Sequence, residues 1–454
     1  MGVVVSCVTV ARDPVMVPDA TPSPTAAAET TVVATPTATM VAALAPTLTP
    51  APTPTPIATE PPTPEPTPLL SDPLPTPTAA AEASIEEPDD ITLAAAGSAL
   101  DEKTIRKLES ILRNTVKGKD KAKGVAGLQA AVRLPSGETW LGTAGKAEMT
   151  PDRPVEDHTQ FAIASVTKTF ISALILQLAE EGKLDLDVPF GTYFADAPRS
   201  KTVTLRQLLS HTSGIYDYFS NPRYQAAAKA WWETRDATGL KARDHKWTYE
   251  EIMDLVKSGY CKPGECYRYS NTNYVILGQV AEAVGGAPIH KQLRKRFFKP
   301  LGMENTVYQP AEKPAADAAH GHWNYGGYID HTGDATVVPF MAAVSVADAA
   351  GAIASTAEDL SIWADALYGG KVLSDESLDQ MTTFLRAGTY GLGTDVAFFA
   401  GNRGYGHRGG LRGYESSMWY FPESGASVVL LSNQGNWLTD VPMEKLVKAV
   451  LGSA

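Results

Sequence analysis

Residues 165–182 read SVTKTFISALILQLAEEG, and the reading of this stretch decides the fold. Its apolar positions are nearly continuous from Phe170 to Leu178, so a helix here must be buried on most sides. Gly182 ends it. At its start, Ser165 and Lys168 stand three residues apart, which on a helix puts a hydroxyl and an amine on one face. A helix buried on most sides needs other elements around it, and the flanking sequence supplies them. Upstream, residues 101–117 place Ile105, Leu108, Ile111, Leu112 and Val116 at helical spacing. Residues 127–133 and 139–143 then flank Pro135-Ser136-Gly137, a hairpin signal. Downstream, helical patterns occupy 204–209, 249–258, 273–284 and 360–367. Strand-like segments follow at 390–400, 415–421 and 427–432, and a helix closes the chain at 440–451. Strands at both ends with helices between predict an α/β (α+β) fold, with one sheet built from distant segments and a mostly helical lobe over roughly residues 180–345.

Composition divides the chain near residue 98. Residues 1–98 hold one basic residue, Arg12, against eleven acidic ones, while the remainder holds 38 basic and 40 acidic. Nineteen of the 33 prolines fall between Pro14 and Pro88. From Thr47 to Thr78, proline at about every second or third position removes amide donors and fixes φ, so this segment is expected to be an extended, disordered Thr/Pro tether rather than helix or sheet. The folded part, 99–454, carries no basic face, which argues against a nucleic-acid partner. No run of about 18 apolar residues is present to span a membrane. Val4-Val5-Ser6-Cys7 resembles a lipobox. Two readings fit Cys7, lipidation as a membrane tether and an incidental thiol, and the tether that follows favours an extracytoplasmic, cell-envelope location. Cys261 and Cys266 enclose the turn-forming Lys262-Pro263-Gly264-Glu265, across which a disulfide can close, the alternative being two reduced thiols. Export favours the disulfide. No second Cys/His pair has matching spacing, so no metal is expected.

Three motifs carry chemistry. Ser165-Val166-Thr167-Lys168 offers a nucleophile and a base. A serine hydroxyl attacks poorly until its proton is removed, and a buried lysine can remove it. Tyr269-Ser270-Asn271 offers a phenol, which a neighbouring ammonium would make more acidic, and an amide that can both donate and accept. Gly406-His407-Arg408-Gly409-Gly410 offers glycines that let another backbone approach closely. Each motif alone is a weak signal; their joint order is a strong one. In that order the chain resembles the serine β-lactamase and D,D-peptidase superfamily, in its class C branch with D-alanyl-D-alanine carboxypeptidases and related esterases. TLRQLLSHTSGI (204–215), Pro263-Gly264 and GAIASTAEDLSIW (351–363) add to the likeness, which covers roughly residues 100–454.

The resemblance implies a β-lactamase-like fold, a central antiparallel sheet flanked by helices, and an acyl-enzyme on Ser165. Lys168 and Tyr269 would share the acid and base work, and Asn271 would orient them. Backbone amides of Ser165 and Gly410 would form the oxyanion hole. His407 would replace the third-motif lysine beside Tyr269, with a titration near neutral pH expected from its imidazole. Arg408 departs from the usual threonine or glycine. One of Arg408 and Arg412, beside Gly409, is expected to read a substrate carboxylate. No cofactor is implied, and a monomer is expected. The substrate would be a small molecule or peptide: a cell-wall stem peptide first, an ester or β-lactam next, with a protein that acylates and stalls as the rival of another class. His211 is read as structural, and His320, His322 and His331 as loop residues.

Overall fold

The computed structural model describes residues 100–118, 125–149, 151–233, 242–323, 341–385, 389–435 and 439–454. The Thr/Pro tether, Cys7 and His331 lie outside these residues. Seven strands form one antiparallel sheet: β1 (Gly127–Arg133), β2 (Thr139–Glu148), β3 (Arg153–Pro154), β4 (Asp395–Phe399), β5 (Asn402–Leu411), β6 (Tyr414–Phe421) and β7 (Ala426–Ser432), in the order β3-β2-β1-β7-β6-β5-β4. The chain's two ends meet where β1 pairs with β7, Leu128 opposite Ser432 through Arg133 opposite Ser427. The strand expected over 390–400 is shorter, and β5, which carries the third motif, is a full ten residues.

The longest helices among the described residues are α1 (Glu102–Val116), α2 (Thr167–Glu180), α3 (Pro222–Glu233), α4 (Asn271–Gly285), α5 (Ala357–Tyr368) and α6 (Asp440–Leu451). Strand alternation sends successive side chains to opposite faces. Leu128, Ala130, Val132, Val428 and Leu430 therefore pack against Leu108, Leu112, Leu446 and Val447 of α1 and α6. Ala131, Val429 and Leu431 face the larger core that includes Phe170, Leu174 and Trp363 of α2 and α5. Both faces are covered, so every residue of β7 is buried. The expected helix at 249–258 stops at Met253, where Leu255 and Val256 tighten the chain with bonds to Ile252 and Met253. Among the described residues, no helix is long and apolar enough to cross a membrane.

The nucleophile helix does not begin as a simple helix. A short strand, Phe161–Ala162, leads into Ala164 at φ +47° and a 3-10 turn over Ala164–Val166, with α2 proper starting at Thr167. A left-handed alanine costs about 1 kcal/mol. It turns the chain sharply enough to lift Ser165 out ahead of the helix, at the positive end of its dipole.

Candidate active site

Lys168 is fully buried on α2, and its ammonium head has three partners: Ser165 Oγ at 3.0 Å, Asn271 Oδ1 at 3.0 Å and the Ala350 carbonyl at 2.7 Å. Two of these are carbonyl oxygens, which can only accept. A neutral amine with two hydrogens would satisfy both and keep its lone pair for the Ser165 hydroxyl. Burial presses Lys168 towards that form, lowering its pKa to about 7, and Asp217 opposes the shift. This Asp was not singled out in the sequence. Its carboxylate accepts from the Asn271 backbone at 3.1 Å and, at 3.4 Å, from the Asn271 side-chain amide. Burial also raises the pKa of Asp217 against those bonds and against Lys168, so both members of the pair lean towards neutrality. The Asp217 side chain caps the 3-10 turn Tyr218–Ser220 as well. That capping position was its one legible signal.

Tyr269 reaches the same point from the loop before α4. Its hydroxyl comes close enough to Ser165 for that side chain to favour the ionised phenol, and Lys168 Nζ stands 5.0 Å from its ring centre. The acidification expected from Lys168 does not occur. Burial dominates and pushes the phenol well above its usual range, the Ser165 contact offsetting only part. Tyr269 is a neutral phenol here, a proton donor.

β5 lies against the serine turn. A Cβ on Gly409 would stand 2.2 Å from the Ile163 carbonyl and 3.1 Å from the Ser165 amide, so only glycine fits. Ser416 Oγ on β6 donates to the same Ile163 carbonyl at 2.7 Å. Gly410, in contrast, has open space where a side chain would be. It borders a cavity of about 260 Å³ whose walls include Phe219, Tyr224, Ala343 and Leu411, with Lys229 and Arg412 also in its lining.

Two expectations for β5 need correction. His407 is buried, its Nε2 accepting from the Tyr390 hydroxyl at 3.0 Å and its Nδ1 donating to the Arg408 carbonyl. Burial first, then Lys168, pull its pKa down to about 3, so it stays neutral and does not titrate near pH 7. Its ring centre is 6.3 Å from that of Tyr269, with Tyr390 as its direct partner. Arg408, one residue on, points to the opposite face. There it donates to Asp440 on α6 at 2.8 Å and to Asp395 on β4 at 3.2 Å, its guanidinium 4.8 Å from the Trp419 ring centre. Strand alternation thus removes Arg408 from the serine's side, and Arg412 alone of the two arginines borders the cavity.

Cys261 and Cys266 are joined in a disulfide with α-carbons 6.3 Å apart. His320 pairs with Glu148 at 3.2 Å and His322 is buried. Among the described residues, no cluster of three His, Cys, Asp or Glu side chains could hold a metal ion.

The Beta-lactamase family model matches residues 112–452. The chain is 30% identical over 274 residues to the putative penicillin-binding protein PbpX of Bacillus subtilis (strain 168), covering 60% of this chain and 61% of that protein. It is 27% identical over 316 residues to a D-aminopeptidase of Cereibacter sphaeroides, covering 68% of this chain and 56% of that protein. The chain therefore spans about three fifths of the length of these curated relatives. Among solved structures, the D-amino acid amidase of Ochrobactrum anthropi SV3 complexed with D-phenylalanine superposes with TM-score 0.65 at 28% identity, covering 78% of this chain and all of that one. With a match that runs through both ends of the sheet and across the residues gathered around Ser165, the chain belongs to the Beta-lactamase family of serine hydrolases.

Proposed function

We propose that the chain hydrolyses an amide or peptide bond beside a D-configured residue, through an acyl-enzyme on Ser165. The observation that carries the reading is the environment of Lys168: two carbonyl oxygens that accept its hydrogens and the Ser165 hydroxyl 3.0 Å away, within reach of the lone pair that the neutral amine would have. Ser165 Oγ attacks the carbonyl carbon while Lys168 takes the hydroxyl proton. The oxyanion is held by the backbone amides of Ser165 and Gly410, each such donor contributing about 3–4 kcal/mol. As the C–N bond breaks, Tyr269 gives its proton to the leaving nitrogen and recovers one from Lys168. Water then enters, loses a proton to the same pair, and releases the acid and free Ser165. Asn271, braced by Asp217, keeps Lys168 aimed.

The D-configuration is supported by the D-aminopeptidase and D-amino acid amidase likenesses. The mostly apolar walls of the cavity beside Gly410 suit an apolar side chain on the substrate. A D-alanyl-D-alanine carboxypeptidase is the second reading, favoured by Arg412 at that cavity, where a guanidinium can take a terminal carboxylate. The Cys261–Cys266 disulfide supports an extracytoplasmic setting, with lipidation of Cys7 as the anchor. The test is a substrate panel on purified chain and on Ser165→Ala: D-phenylalanine amide and its L enantiomer, a D-Ala-D-Ala peptide and its amidated form, nitrocefin, and a short ester. D-amide hydrolysis exceeding the L rate by at least about tenfold, and absent from Ser165→Ala, is expected. Turnover of only the ester or nitrocefin overturns the amide reading, and a penicillin label that attaches and stays with no turnover makes the chain a sensor. The carboxypeptidase reading stands if the D-Ala-D-Ala peptide outpaces its amidated form and Arg412→Ala removes the difference.

A further inference from the structure

His211 lies in the SHTSG stretch and is fully buried at φ +56°. Its backbone carbonyl accepts from Arg268 N at 2.9 Å, and its ring Nδ1 accepts from Ser270 N at 3.2 Å. These two donors flank Tyr269 in sequence. The imidazole itself is 4.1 Å from the Tyr269 ring, centre to centre. Further along, the Thr212 carbonyl takes Gly264 N at 2.8 Å and the Gly214 carbonyl takes Tyr260 N at 2.8 Å, so the stretch holds the whole approach to Tyr269 in register.

We propose that His211 is a positioning residue for Tyr269: its carbonyl and its Nδ1 hold the peptide groups on either side of that tyrosine, so that the phenol faces Ser165. The inference rests on the acyl-transfer reading above. The ring's state follows from its partners. Asn273 donates from Nδ2 to Nδ1 at 3.3 Å and to the Leu208 carbonyl at 3.1 Å, while its Oδ1 accepts from Ser213, whose hydroxyl oxygen is itself held by Ile215 N at 3.0 Å. That chain of bonds fixes the amide's orientation. Nδ1, accepting from two N–H groups, carries no proton, and the neutral ring bears its hydrogen on Nε2. Burial, Lys168 and His407 all keep it uncharged. Such an arrangement explains both a histidine at a left-handed position, where most side chains are strained, and its place one layer behind the reacting atoms.

Asparagine and glycine both tolerate this φ, and asparagine's Oδ1 replaces the Nδ1 acceptor whereas glycine has none. His211→Asn is therefore expected to keep kcat on D-phenylalanine p-nitroanilide within about threefold of the parent. His211→Gly should lose at least about tenfold in kcat with KM little changed, because a displaced reacting group can cost up to about 100-fold. Hydrogen exchange over residues 267–273 should quicken in His211→Gly and not in His211→Asn. Equal behaviour of the two variants, whether both intact or both crippled, overturns the inference. Tyr269→Phe separates the cases: a normal rate there sinks the role of the phenol, whereas a slow Tyr269→Phe beside a normal His211→Gly sinks only the role of His211. Should either variant fail to fold, or the anilide not be turned over, the ¹⁵N-histidine spectrum of the parent chain decides. An Nδ1 of His211 without a proton at pH 7 supports the bond to Ser270, and a protonated one overturns it.

Discussion

Lys168 and Arg408 are cations drawn inward on opposite sides of β5, and they are treated in opposite ways. Arg408 meets two carboxylates directly, Asp440 and Asp395, under an aromatic ring. Lys168 meets none. Its contacts are a hydroxyl and two carbonyl oxygens, and the carboxylate that raises its pKa, Asp217, bonds Asn271 instead of Lys168 itself. Direct pairing keeps a charge in place, whereas burial against neutral acceptors lets the proton go. The fold places a permanent cation where it ties α6 and β4 to the sheet, and a titratable one where a base is needed.

The sharpest way to break the contrast is to exchange the two kinds of cation. Lys168→Arg puts a group that does not deprotonate beside Ser165. Acylation, followed by stopped-flow with a fluorescent penicillin or by turnover of a D-amide, should fall by about 10³-fold, within the range for losing a general base. Lys168→Met, which keeps the volume, should fall as far. Activity near the parent level in either would mean that the lone pair facing Ser165 does no chemistry. Gly409→Ala attacks the geometry instead of the charge. Its Cβ would strike the Ile163 carbonyl at 2.2 Å, forcing β5 away from the serine turn. A loss in kcat of about 10²-fold is expected, and a parent-like rate would show that β5 need not touch that turn.

Asp217→Asn tunes rather than breaks. Asp217 raises the pKa of Lys168, so its removal should lower it further below about 7. The base form exists above that pKa. The acid limb of the kcat/KM profile should therefore move to lower pH, by roughly one unit for each 1.4 kcal/mol of interaction lost, while the plateau persists because asparagine can still accept from Asn271. A limb that stays put, or moves to higher pH, would show that the limb belongs to another group.

How much of this was legible in the sequence follows from which interactions are local. The S-x-x-K pair lies within one turn, so spacing alone brings Ser165 and Lys168 together, and the apolar run from Phe170 to Leu178 announces a buried helix. The hairpin of 127–133 and 139–143, whose second strand runs on to Glu148, and the helix at 440–451 were legible for the same reason, since their patterns are short-range. What spacing cannot carry is the environment at depth. The fall of His407 to about 3 and the rise of Tyr269 reflect burial first, which comes from packing between segments distant in sequence. Asp217 stands 54 residues from Asn271, and the Ala350 carbonyl has no side-chain signature whatever. Arg408 is the instructive case. Strand alternation puts adjacent residues on opposite faces, so Arg408 cannot share a side with His407, and its charge alone suggested a role at the site.

Arg408→Met gives the smallest effect on catalysis and tests the other half of the contrast. With Arg408 turned away from Ser165, kcat should stay within about twofold, since surface-side substitutions away from a site are near neutral. Stability should change, and in a pH-dependent way. Burial raises the folded pKa of Asp395 to about 6, with Arg408 as the main influence holding it down. A carboxyl whose folded pKa lies above its unfolded value of 3.8 weakens the fold as pH rises from that value through the folded one. Removing Arg408 lifts the folded pKa further, so the penalty continues to grow above pH 6. The pair is partly exposed, which limits the cost to about 1–2 kcal/mol at pH 7–8. Thermal melts of parent and variant should therefore diverge by a few degrees above pH 7 and converge near pH 4, where Asp395 is protonated in both. A constant gap across that range would mean that Arg408 contributes packing over Trp419 and not charge, and a large loss of kcat would return it to the site.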